Sequence, residues 1–517
     1  MKELYERVIR NKRFFIVLFC MMVWCACWLI VHKAVPYYCV IYGMSAIAMF
    51  AIFVGTYCSI RSGRFRYYKV YPVIALVVGL IYMVNLPVYT IPDEPNHLWK
   101  AYGISNHLLG IPNEERDGVV YLSMRKMDAD FPMKETGYDL KSFQNYILES
   151  RASESYEIVT TSNALLPLDD YPYIASGLGI TVGRLLGLST LKTFLLGRMF
   201  NLLLFISMIT VALYLIPRGK SILFASALLP MSVQQGMSYS YDVWVIADSF
   251  LILALFLNLR EKQVHHRRFY WKLVALVLCS ALLIPMKSHA YILLCTMAIF
   301  LLCELLLNRE KVDSKLSALL PLINLVVLVG AGVLFLLSVI KPSMFPNTKH
   351  VLSWSGTPGY TIGFLLRHPG ELVLAFYNTV HCQFEYYHRT MIGDLLGWLE
   401  ISVNPFVIFG FDVALLIATL NCMEDDAKET SLIRRYFAWL FVFTFVLINI
   451  GMLLSWSPID VQRVVGLQGR YFIPILPLLL FALRGKRIEI ASGFKRYLPM
   501  YILVLQFFMI DQLMTLV

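Results

Sequence analysis

Residues 14–31 read FFIVLFCMMVWCACWLIV, with no charge anywhere in the run. In hydrocarbon every backbone amide and carbonyl must be satisfied within the protein, so a run of this length has one course open to it. It forms an α-helix across the bilayer's apolar layer of about 30 Å. Comparable runs recur near 37–60, 70–89, 191–216, 241–259, 316–340, 403–421, 436–456 and 497–516. Shorter or proline-interrupted runs near 220–239, 270–286, 290–307 and 471–483 bring the expected total to about thirteen spans. The stretch PYIASGLGITVGRLLGL at 172–188 is too short and glycine-rich for a crossing and reads as interfacial or re-entrant. The chain is therefore expected to be an all-α polytopic membrane protein. Composition agrees, with 58% hydrophobic and 15% charged residues where soluble domains carry about 25% charge. The basic MKELYERVIRNKR ahead of the first run resembles the start of a secretory signal, but the apolar part is too long and no small-residue cleavage site follows. It reads as a retained span.

Charge sets the expected orientation. With the N-terminus in the cytoplasm, the inner loops are 1–13, 61–69, 217–220, 260–272, 308–315, 422–435 and 484–496, and they hold 27 of the 45 lysines and arginines. This positive-inside pattern accounts for the net charge of +11 without a nucleic-acid partner, for which no binding module is present. Two long polar segments, 90–171 and 341–400, then face outward, and residues 93–170 carry fourteen acids against seven Lys and Arg. No sizeable inner domain remains to hold a nucleotide. The fragment RGKS at 218–221 has Tyr214 where a phosphate-binding loop needs its first glycine. Of ten cysteines only Cys382 lies in a long polar loop, which excludes a disulfide framework and a CxxC metal site.

The third apolar run is followed by TIPDEPNHLWKAY at 90–102. Pro95 suits the first turn of a helix, where its missing N–H would be unpaired, and Glu94 before it suits the N-cap. The helix is expected to reach Gly110 and lie along the interface with Leu98, Ala101, Tyr102 and Leu108 on one face. Asp93 is left free at the mouth of the span. On periodicity alone both acids have a plain structural use, capping and solvating a loop.

The stretch PDEPNHLWKAYGIS resembles the defining motif of a bacterial multi-pass membrane family, domain of unknown function 2142 (DUF2142), within the C-type glycosyltransferase superfamily. LPMSVQQGMSYSYDVWVIADSFLILAL at 229–255, KSHAYILL at 287–294 and LQGRYFIPILPLLLFAL at 467–483 fit the same family, so the resemblance covers about 85–485. It implies a C-type bundle over 70–485, with interfacial helices in the two external segments. Residues 1–69 would add two helices and 486–517 a last one. Superfamily members move a sugar from a polyprenyl-phosphate or polyprenyl-diphosphate carrier on the outer face. An external acid, often within an Asp-Glu pair, serves as the base, and the resemblance gives Asp93 and Glu94 that position. The chemistry is consistent, since an acceptor hydroxyl needs a general base and a desolvated carboxylate is a better one.

A lipid phosphate needs cations. Arg470 in QGRYF, Arg463 one loop earlier, and Lys287 with His289 in an outer turn are the candidates; guanidinium can bind phosphate oxygens with two prongs. Snorkelling at a helix end is the alternative for each. His97, Asp242, Gln235 and Tyr471 are candidates for contacting substrate. Asp242 starts a span, while Asp248 lies two turns deeper, where a charge is normally paired; Gln234 and Gln235 have helix capping as their plainer use. His381, Glu385 and His388 share a helical face and are weak candidates for a divalent metal, although the HExxH arrangement is absent. No cofactor is otherwise implied.

The expected function is an inverting membrane glycosyltransferase, acting at the cell membrane on a polyprenyl-phosphate-linked sugar and a cell-envelope glycan or glycolipid acceptor. A polysaccharide polymerase or ligase, and a lipid-linked sugar transporter or flippase, remain as alternatives. The second predicts inverted repeats around a midplane site, and no internal repeat is seen.

Overall fold

In the computed structural model the described residues are 11–33, 36–116, 119–132, 171–261, 267–307, 351–352, 354–422, 431–484 and 489–515, with a few positions between 137 and 160. The expected span at 316–340 and much of the first polar segment lie outside them. The longer helices are α1 (Lys12–Val31), α2 (Pro36–Arg61), α3 (Tyr67–Asn85), α4 (Glu94–Leu108), α5 (Ile174–Leu185), α6 (Thr190–Leu215), α7 (Lys220–Ala227) and α8 (Pro230–Gly236). They continue with α9 (Asp242–Glu261), α10 (Arg267–Leu283), α11 (Thr296–Leu307), α12 (Pro369–Ile392), α13 (Pro405–Thr419), α14 (Ser431–Trp456), α15 (Leu476–Leu483) and α16 (Leu498–Thr515).

Among the described residues seven helices, α1, α2, α3, α6, α9, α14 and α16, are long and apolar enough to cross a membrane. The run at 220–239 passes from one end of the bundle, where Ser221 Oγ donates to the Ala418 carbonyl, to the other, where the Tyr239 amide donates to Glu94, but as two short helices, α7 and α8: Leu229 leaves helical geometry before Pro230, because the residue before a proline is pushed out of the α region. The run at 403–421 yields only the 15 residues of α13, and that at 471–483 begins as a 3-10 turn, Gly469–Ile475, before α15. Among the described residues strands are confined to three two-stranded ladders of two or three residues per strand.

The helices share two ends. At one, α3 and α14 finish and α9 starts; this will be called the site end. At the other, basic side chains cap carbonyls: Arg496 reaches Ile60, Lys495 Leu420 and Arg434 Ala482. Helix α9 is the central element, its apolar residues buried on all sides. The pair α1–α2 packs against α16 instead, where Tyr42 donates to Asp511 Oδ1 at 2.9 Å and Trp28 Nε1 to Thr515 Oγ1 at 2.9 Å. Its outer face shows Phe19, Met22, Trp24, Ile30 and Ile47, as suits lipid contact.

Candidate functional site

Helix α3 ends at Asn85, and the chain reverses through two residues at positive φ, Tyr89 (79°) and Asp93 (66°), before α4 begins. Neither is glycine, so the loop holds an unfavourable backbone state that its surroundings must fix. The clamp is Arg198 of α6. Its guanidinium donates to the Leu86 and Pro87 carbonyls and pairs with Glu94 through Nη2–Oε2 at 2.6 Å and Nε–Oε1 at 2.9 Å. Glu94 also accepts from the Tyr89 and Tyr239 amides, and both ionic side chains are fully buried.

The expected roles of the two acids at the helix start thus change. Asp93, not Glu94, occupies the N-cap position, and its side chain caps nothing. Glu94 is the first helical residue and a sealed structural anion that accepts four hydrogen bonds, leaving it no oxygen that faces solvent. Helix α4 is also more enclosed than an interfacial helix: His97, Leu98, Trp99, Ala101, Tyr102, Ser105 and Asn106 are all buried, while Leu108 is exposed.

Released from capping, the Asp93 carboxylate projects outward with its side chain 57% exposed and pairs with Arg470 Nη2 at 3.1 Å. Arg470 is 4% exposed, donates through Nη1 to the Pro92 carbonyl at 3.4 Å, and lies with Nε 3.8 Å from Asp242 Oδ2. Asp242 in turn pairs with Lys287, whose ammonium stands 3.6 Å above the Tyr471 ring. Four segments far apart in sequence therefore form one alternating chain of charges, Asp93, Arg470, Asp242 and Lys287, open to solvent only at Asp93. Protein does not enclose the Asp93 carboxylate; what the fold supplies is orientation against a buried cation.

Arg470 owes its place to the glycine before it. A Cβ on Gly469 would stand 2.0 Å from the Tyr387 carbonyl oxygen and 2.2 Å from the Met391 amide nitrogen, so only glycine lets this turn rest on α12, where its amide donates to Thr390 Oγ1 at 2.8 Å. Lys287 and His289 both sit at positive φ in the tight turn after α10. His97 lines the same region: its Nδ1 is 2.6 Å from the Tyr173 hydroxyl and its ring meets Tyr241 edge-on at 5.0 Å. Burial pushes the imidazole down to about 4, so it is neutral at pH 7.

Other candidates stand apart from this chain of charges. Arg463 is partly exposed in the loop before Gly469 and makes none of the four-residue chain's ion pairs. Gln235 is fully buried and donates to Met231 Sδ at 3.5 Å, while Gln234 accepts from the Gly397 amide. Asp248 is buried with no hydrogen bond to either carboxyl oxygen. The metal trio does not converge. His388 pairs with Asp412 at 2.9 Å, which raises its pKa, His381 stacks on Tyr377, and Glu385 is an exposed neighbour of Arg389. Among the described residues no cluster of three such side chains could hold a metal ion.

Sequence reading missed Arg198, although an arginine inside the apolar run LLGRMFN demands a buried acid, and it missed Tyr173 and Tyr241. No curated protein and no solved structure matches the chain. One family model does, over residues 76–479, which takes in Asp93, Arg198, Asp242, Lys287 and Arg470 and leaves out α1, α2 and α16. The chain belongs to the DUF2142 family, described as predicted membrane proteins.

Proposed function

We propose that this protein is a membrane glycosyltransferase that moves a sugar from a polyprenyl-phosphate carrier to a cell-envelope glycan or glycolipid on the outer face of the cell membrane. The observation that carries the reading is the pairing of an outward-facing carboxylate, Asp93, with a buried guanidinium, Arg470, at the end of the bundle away from the basic loops. The resemblance to the C-type superfamily, in which an acid at this position acts as base, supports it.

In the reaction Asp93 takes the proton of the acceptor hydroxyl as that oxygen attacks the anomeric carbon. The bond from anomeric carbon to phosphate oxygen breaks, the configuration inverts, and the electron pair leaves on the lipid phosphate. Arg470 receives that charge; its buried Nε has no hydrogen-bond partner, so a donor is available without breaking the link to Pro92. Lys287 and Asp242 hold the guanidinium from behind. Neutral His97, fixed by Tyr173, offers a ring nitrogen to a sugar hydroxyl.

Two experiments test this reading. Analysis of envelope glycans with and without the protein should show one sugar linkage missing; unchanged glycans, or transport of labelled lipid with no new glycosidic bond, would overturn it. For orientation, cysteines introduced near Gly118 and Gly356 should react with an impermeant thiol reagent in intact cells, and one near His265 should not.

A further inference from the structure

Helix α9 carries a second acid that the chain of charges at its start does not use. Asp248 lies six residues beyond Asp242, about 9 Å further into the bundle, and is fully buried with neither carboxyl oxygen hydrogen-bonded. The Cys279 thiol of α10 sits beside it and is too weak a donor to hold a carboxylate. One residue on, Ser280 is fully buried, its Oγ is likewise unpartnered, and its carbonyl accepts from Cys295 Sγ at 3.1 Å. Cys295 ends the 3-10 turn Ile292–Cys295. The acid thus stands where α9, α10 and an unwound stretch of chain meet.

The surroundings supply no counter-charge. Helix α9 packs against α6, α8, α10, α11 and the Gly469–Ile475 turn. Of their charged side chains, Arg198 is closed on Glu94, Arg470 pairs with Asp93 and Asp242, Lys272 donates to Asn258, and Glu304 pairs with Arg260. Lys192, Arg267 and Arg268 stand at the helix starts, and Asp242 itself is held by Lys287. The titratable groups that face Asp248 are the thiols of Cys279 and Cys295, neither of them a cation. An unpaired carboxylate at this depth is too costly to keep.

We propose that Asp248 is a binding site for one monovalent cation, a proton or Na+, seated between α9, α10 and the 292–295 turn. One positive charge balances one carboxylate, whereas a divalent ion would need further anionic ligands. Among the described residues no group of three His, Cys, Asp or Glu side chains could hold a metal ion. Unwound chain beside a buried acid is the arrangement in which membrane proteins hold coupling ions. The same two helices carry the Asp242–Lys287 pair, since α9 begins at Asp242 and α10 leads into the turn of Lys287. A bound cation therefore seats α9 on α10 and, through them, two members of the chain of charges. The proposal stands independently of the reaction performed.

The test is infrared difference spectroscopy of the full chain in nanodiscs, wild type against Asp248→Asn, at pH 7 in NaCl and in choline chloride. Asn is the neutral isostere of the proton-bound acid, so the variant should fold and unfold like wild type. A protonated-carboxyl band, equal in both salts and missing from the variant, assigns the cation as a proton. A carboxylate band that shifts when Na+ replaces choline, again missing from the variant, assigns it as Na+. A carboxylate band that is the same in both salts would overturn the proposal, because Asp248 would then be ionised with no bound cation. Wild type alone gives a second readout that does not depend on the variant. Dicyclohexylcarbodiimide, a lipid-soluble reagent for protonated carboxyl groups, should form an adduct at Asp248 in choline chloride, and NaCl should suppress it only if Na+ is the ligand. No adduct at Asp248 in choline chloride would also overturn the proposal.

Discussion

Asp93 and Glu94 are neighbours in sequence and opposites in the fold. Glu94 is fully buried and accepts from Arg198 and two backbone amides. Asp93 is largely exposed and meets one cation, itself part of a chain of charges leading inward. Each arginine follows its acid's pattern: Arg198 has every prong engaged between Glu94 and two loop carbonyls, whereas Arg470 keeps one buried donor open. A closed ion pair with all its hydrogen bonds made is a strut. An open one, with an exposed carboxylate and an unfilled donor, is a place where another molecule can complete the set. The first holds the strained 86–93 loop that aims the second.

The largest effect is expected at the strut. Glu94→Ala or Arg198→Ala leaves a buried charge without its partner, which costs about 3–5 kcal/mol, and should show as loss of folded protein and a lowered unfolding temperature in detergent. Changing both residues together to apolar ones of similar size should restore part of that loss; if it does not, the pair does more than hold the loop. At the open pair, Arg470→Ala should reduce sugar transfer by about 10²-fold or more, the size of a lost transition-state donor, while Arg470→Lys keeps part of the activity, because it retains the charge and loses the two-pronged geometry. An Ala variant that folds and turns over normally would remove Arg470 from the mechanism.

Gly469→Ala tests whether the Arg470 turn needs its close seat on α12. The added methyl meets backbone, not a flexible side chain, so a loss of about 1–3 kcal/mol is expected, together with reduced transfer. The smallest effect concerns His97. The folded protein holds it neutral, with its pKa lowered to about 4 by burial, whereas in the unfolded chain it takes up a proton near 6.5. As pH falls through that window the unfolded state binds the proton first, so stability should drop between pH 7 and 5 by on the order of 1–2 kcal/mol. Unfolding temperatures of wild type and His97→Gln at the two pH values measure this; an equal pH response in both would show that His97 is not the group concerned.

Much of this arrangement was legible in the sequence where one physical rule dominates. Apolar length gave α1, α2, α3, α6, α9, α14 and α16, because hydrocarbon leaves the backbone no alternative. The interruption of 220–239 was legible as well, from Pro230 inside the apolar run. Asp93, Asp242, Lys287 and Arg470 each stood out as a charge at the end of an apolar run, but their meeting is a property of tertiary packing that no local pattern encodes. The division of roles between the two acids was only half legible: Pro95 signalled a helix start, yet which acid turns inward depends on Arg198, more than a hundred residues away. For the trio His381, Glu385 and His388, helical spacing gave a common face and only a weak case for a metal, since a shared face says nothing about where each side chain finds a partner.

The most direct measurement of the central claim compares purified Asp93→Asn and Glu94→Gln for folding and for sugar transfer from a polyprenyl-phosphate donor. Asp93→Asn preserves shape but cannot accept a proton, so it should unfold like wild type and lose about 10²-fold or more in turnover, the scale of a missing general base. Glu94→Gln should mainly lose stability, and the molecules that remain folded should still transfer. Near-wild-type turnover by Asp93→Asn alongside a folded but inactive Glu94→Gln would contradict the account, because the strut and the open site would then have exchanged places.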